Sequence, residues 1–90
     1  MRPRMAESDF DAALEPVARR MERVKLPASF LRELLREGAE IQLGETAMRW
    51  AGMPNKNERA ALTEALDALA AAGFLEPTGK ETWKVVRSGE

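Results

Sequence analysis

The chain has ninety residues, with fourteen Lys plus Arg against fifteen Asp plus Glu, a formal charge of −1, and 44% hydrophobic and 32% charged residues. One compact core is the most a chain of this length supports, and the even charge balance excludes a basic arm that holds nucleic acid by bulk charge alone. His, Cys and Tyr are all missing, which excludes thiolate or imidazole zinc sites, disulfides, Cys nucleophiles and Ser-His-Asp triads.

Met1 to Glu7 reads as a flexible tail whose Arg2-Pro3-Arg4 is followed by no apolar signal core.

A helix is expected over residues 8–26, with Phe10, Leu14, Val17, Met21 and Val24 spaced four, three, four and three apart along one side. Ser8 and Asp11 have capping spacing, and Pro16 deletes a backbone donor, so the helix is expected to kink there. The apolar stripe is expected to pack on the chain's own domain, with a dimer or partner seam as the alternative. Arg19, Arg20 and Arg23 lie mostly off that stripe and read as a solvated face.

Lys25-Leu26-Pro27 interrupts the pattern. A second helix is expected from Ala28 to Glu37, with Phe30, Leu31, Leu34 and Leu35 inward and Gly38 as a left-handed cap. Glu40-Ile41-Gln42-Leu43 alternates as a brief strand. Gly44 leads into a short helix, Glu45 to Ala51, with Ala47, Met48 and Trp50 available for burial, and Gly52-Met53-Pro54 turns the chain. The longest helix is expected from Lys56 to Ala72, with Asn55 and Glu58 in capping-box spacing and Leu62, Leu66 and Leu69 on one face. Gly73 stops it. A hairpin follows, Phe74-Leu75-Glu76 turning through Pro77–Glu81 into Thr82–Val86, with Trp83 and Val85 on a common face. Residues 88–90 read as a tail.

The fold class expected from this order is mostly α with a small antiparallel sheet: a winged helix-turn-helix over residues 28–87 with an extra N-terminal helix. A short helix joined by a tight turn to a longer one is helix-turn-helix geometry, and the early strand pairing with the hairpin would relieve the marginal stability of two strands alone. Ile41-Gln42-Leu43, Arg49-Trp50-Ala51-Gly52-Met53, the run Ala61 to Leu69 and Ala72-Gly73-Phe74-Leu75 resemble a winged-helix domain. Over Leu31 to Val86 the chain is similar to the C-terminal winged-helix segments of phage- and plasmid-type replication proteins, the helicase-like ATPases often fused to primases. It departs from them in having no Gly-x-x-x-x-Gly-Lys-Ser/Thr loop, so the resemblance implies no ATPase or primase activity.

What the resemblance implies is a non-catalytic module that binds double-stranded DNA in replication or transcription control of a mobile element. The first residues of the long helix, Asn55, Lys56, Asn57, Arg59 and Thr63, would reach base edges, since Asn suits adenine and Arg suits guanine. Arg49 would touch a phosphate from the preceding helix, and Lys80, Lys84 and Arg87 would lie on the backbone from the hairpin. Glu64 and Asp67 on the same long helix oppose that reading. They keep open a second one, a protein–protein or homodimer module within a larger replication or regulatory assembly, acting through this acidic face or the Phe10–Val24 stripe. Trp50 and Trp83 suit core packing or stacking on bases. Neither reading calls for a cofactor, a metal or a small-molecule substrate. No apolar run reaches the ~20 residues needed to span a bilayer, and a cytoplasmic location is expected.

Overall fold

The computed structural model describes residues 5–38 and 40–87, with side chains from Asp9 onward. These residues are mostly helical, with a small three-stranded antiparallel sheet, as the sequence pattern leads one to expect. Helix α1 spans Met5–Leu14 and helix α2 spans Ala18–Arg23, separated by one 3₁₀ turn at Glu15–Val17. Pro16 has no N–H to donate, so in place of the expected kink the chain tightens through a full turn and restarts. The helix also begins earlier than expected. Residues 5–7 are helical and not tail, and Ser8 lies inside α1 where it cannot be the N-cap. The rest of the expected tail, residues 1–4, lies outside the described residues, as do residues 88–90.

The stripe keeps its phase across the turn. Phe10, Leu14 and Met21 are buried in the chain's own core, with Val17 and Val24 packed against it. The dimer-seam expectation for Phe10, Leu14, Val17, Met21 and Val24 is thereby corrected, because this surface faces inward and offers a second chain little to bury.

Lys25 takes a left-handed φ of +60° and returns the chain, so that the Leu26 N–H donates to the Met21 carbonyl at 2.9 Å. Helix α3, Ala28–Glu37, buries Leu31, Leu34 and Leu35 and ends on Gly38 at φ +72°, a conformation that costs a residue with a Cβ about 1 kcal/mol. Strand β1 is only Ile41–Gln42. Leu43, expected in the strand, already opens helix α4, Leu43–Ala51, and Gly44 is helical. The Gln42 side chain accepts from the Glu45 N–H at 3.3 Å and serves as the cap.

Helix α4 ends in a γ-turn. Gly52 sits at φ +76°, ψ −69°, and the Met53 N–H donates to the Ala51 carbonyl at 2.8 Å. Helix α5, Lys56–Ala71, then starts on the expected capping box, with Asn55 Oδ1 accepting from the Glu58 N–H at 2.7 Å and the Glu58 carboxylate accepting from the Asn55 N–H at 2.9 Å. Ala61, Leu62, Ala65, Leu66 and Leu69 form its buried face.

Strands β2, Leu75–Gly79, and β3, Thr82–Val85, make the hairpin, whose tip is Lys80-Glu81 alone. The expected turn at Pro77–Glu81 is therefore shorter, and Pro77 and Thr78 belong to the strand. Sheet order is β1-β3-β2, so β2 is an edge and tolerates a proline without an N–H; the register shifts between Pro77 and Gly79. The core lies between the sheet and the helices. At its centre the Phe10 and Phe74 rings meet edge to face, 6.2 Å apart. Arg32 lies 4.3 Å over Phe10 and Arg87 lies 4.4 Å over Phe74.

Candidate nucleic-acid interface

The α4–turn–α5 unit places the first turn of α5 at the surface. Asn55, Lys56, Asn57 and Arg59 are all exposed there, and Thr63 is half-buried. Their side chains differ in what they still have to offer. Asn55 uses its oxygen as the helix cap, and the Thr63 hydroxyl donates to the Arg59 carbonyl at 2.9 Å inside the helix. Lys56, Asn57 and Arg59 keep their polar heads free of protein partners among the described residues.

The acids of this region are engaged elsewhere. Glu58 closes the capping box, and Glu64 pairs with Arg20 of α2 at 3.1 Å. Glu64 therefore does not stand as a bare carboxylate on the outer face of α5, whereas Asp67 is exposed with no ion-pair partner among the described residues. Arg23, at the end of α2, lines a common hollow with Asn57. Sequence reasoning misses this neighbour, because nothing in local spacing says that α2 packs beside α5.

The remaining expected contacts are less available. Arg49 donates to both oxygens of Glu37, at 3.1 and 3.4 Å. The Glu37 hydrogen bond first, and its charge second, raise the guanidinium above the ordinary arginine value, so Arg49 stays cationic at every ordinary pH. Lys84 pairs with Glu76 at 3.7 Å, directly across the β2–β3 ladder. Arg87 pairs with Asp9 at 2.7 Å. Lys80 is exposed at the hairpin tip, but Glu81 is its neighbour there and Glu40 lies close by, with Thr78 Oγ1 donating to Glu40 at 3.1 Å. The basic hairpin expected from Lys80, Lys84 and Arg87 is thus reduced to Lys80. The structure does not bring these nine residues into one cationic face. It brings Lys56, Asn57 and Arg59 together and holds Arg49, Lys84 and Arg87 in intramolecular pairs.

Of the two tryptophans, Trp83 is buried and Trp50 is half-buried, its indole N–H donating to the Lys25 carbonyl at 3.4 Å. Trp83 therefore presents no free stacking face of the kind a base platform needs. Met48, expected in the core, is instead 61% exposed, and Met53 in the turn is 92% exposed. The two line a hollow of about 770 Å³ with Gln42, Glu45, Pro54 and Arg59.

No protein-family model, curated protein or solved structure matches this chain. What the surface does has to follow from its own side chains. Among the described residues no helix is long and apolar enough to cross a membrane.

Proposed function

We propose that the chain is a winged helix-turn-helix module that binds double-stranded DNA weakly and without chemistry, through the first turn of α5. One observation carries this reading. Around that turn the carboxylates Glu58 and Glu64 are engaged within the protein, while Arg23, Lys56 and Arg59 have no carboxylate partner among the described residues and Asn57 stands between them. A helix presented by its first turn puts such residues near base edges, with arginine and asparagine suited to guanine and adenine. The engaged state of Arg49, Lys84 and Arg87 limits the phosphate contacts to roughly three, so the logarithm of affinity is expected to fall with the logarithm of salt at a slope of about −3. Fluorescence anisotropy of labelled duplexes across a salt series measures this slope. No binding at low salt defeats the reading. A role in replication or transcription control of a mobile element is part of the proposal, carried by the resemblance of Leu31 to Val86 to the winged segments of replication proteins.

A second reading is favoured by the Met48–Met53 hollow. Two exposed methionines beside the helix-turn-helix elbow suit an apolar protein partner, since methionine adapts to varied surfaces. Met53→Ser weakening self-association in light scattering, with DNA binding unchanged, is the result that would favour it.

A further inference from the structure

We infer that the hollow between α2 and the first turn of α5 seats a phosphodiester of the DNA backbone, adding a contact from outside the helix-turn-helix unit. The inference rests on the DNA-binding reading above, gives its Arg23 a defined ligand and extends its site to Arg20. Arg20, Arg23, Val24 and Asn57 line a hollow of about 260 Å³. Two arginines and an asparagine are among the four residues that line it, and no carboxylate is. The three larger hollows described each carry carboxylates: Asp11, Glu15 and Glu22 in one, Glu45 in the second, Asp9 in the third.

The arginines are prepared differently. Arg20 is engaged on one side, its Nε 3.1 Å from the Glu64 carboxylate in an ion pair, and its other N–H donors have no protein acceptor among the described residues. Arg23 has no carboxylate partner among those residues, so its full charge is available to an anion. An oxyanion with several acceptor oxygens matches this donor set, and guanidinium meets phosphate with paired, charge-assisted hydrogen bonds. Asn57 ties the hollow to the DNA-facing turn. It belongs to the same first turn as Lys56 and Arg59, so an anion seated here lies beside the segment proposed to enter the groove. The phosphate strand flanking that groove is the anion such docking supplies, and contacts of this kind fix register and orientation.

Three variants of the full chain test this against a fluorescein-labelled duplex across a salt series. Arg23→Gln is expected to weaken binding roughly three- to tenfold on any sequence and to make the salt slope shallower by about one. Arg19→Gln makes the same charge change in the same helix, on the side lined by Asp11 and Glu15, and is expected to leave slope and affinity near wild type. Arg59→Gln is expected to weaken binding by a sequence-dependent factor. Circular dichroism melts of the three should match wild type, since all three side chains are exposed. Wild-type affinity in Arg23→Gln, while Arg59→Gln binds weakly, overturns the inference and leaves the DNA reading standing. Equal losses in Arg19→Gln and Arg23→Gln also overturn it, because bulk charge then explains both. Competition by millimolar inorganic phosphate as effective as an equal rise in chloride ionic strength is expected; much stronger competition would make the hollow a free-phosphate site and overturn the DNA assignment. A wild-type chain that binds no duplex defeats both readings at once.

Discussion

Gly52 is the residue on which the angle between α4 and α5 turns. At φ +76°, ψ −69° it occupies a region where a side chain meets the backbone, although no neighbouring atom lies within 4 Å of where a Cβ would stand. The cost of a substitution there is therefore backbone strain without steric contact. Gly52→Ala is expected to lower stability by about 1–3 kcal/mol in urea unfolding. Gly38→Ala, at the milder φ +72°, ψ 8° of a left-handed helix cap, is expected to cost nearer 1 kcal/mol. Equal losses would mean that the γ-turn stores no particular strain. Both glycines are legible as stops in the sequence. That Gly38 caps its helix in the left-handed region is legible too, but that Gly52 makes a γ-turn is not, because the turn type depends on where α5 has to restart.

At the scale of elements, long periodic segments are legible in the sequence and short ones are not. Helix α5 carries a capping box and a clear apolar face, and α3 is bounded by a proline and a glycine, so their ends fall within a residue of expectation. Strand β1 has only two residues, too few for alternation to separate a strand from the start of α4. Site charges are less legible still. The Lys84–Glu76 pair follows from strand register once the hairpin is drawn, but Arg20–Glu64 and Arg49–Glu37 join elements that only tertiary packing brings together. The first of these pairs makes a prediction about α5. Glu64→Gln removes a carboxylate from its flank and releases Arg20, so duplex affinity is expected to rise roughly two- to fivefold and the salt slope to steepen by about one. Unchanged affinity would show that the DNA does not approach this side of the helix.

For the whole molecule, the Phe10–Phe74 pair is where the N-terminal helix meets the end of α5 and the start of the sheet. Both rings are almost fully buried, and each carries an arginine over its outer face. Phe74→Ala is expected to cost about 3–5 kcal/mol, a large part of a small domain's stability, and to loosen α1 with it. Thermal unfolding followed by circular dichroism measures this. The Asp9–Arg87 pair beside the ring is about half exposed, so a double-mutant cycle is expected to give a coupling below about 1 kcal/mol. A loss in Phe74→Ala no larger than that coupling would mean the aromatic pair is peripheral. Its position is half legible: Phe10 sits on the apolar stripe, but its partner lies sixty-four residues on, a separation that spacing cannot report.

Asp9 and Arg87 are 78 positions apart in sequence and 2.7 Å apart in space. The stretch from Asp9 to Arg87 is thus nearly a closed ring, and its topology depends little on where the ring is cut. A circular permutant with the last residue joined to the first through a glycine-serine linker, and new ends opened between Lys80 and Glu81, is expected to unfold in a single cooperative transition. The cut falls in the two-residue tip, away from the buried rings, so the permutant should lose hairpin stability and keep its helical core.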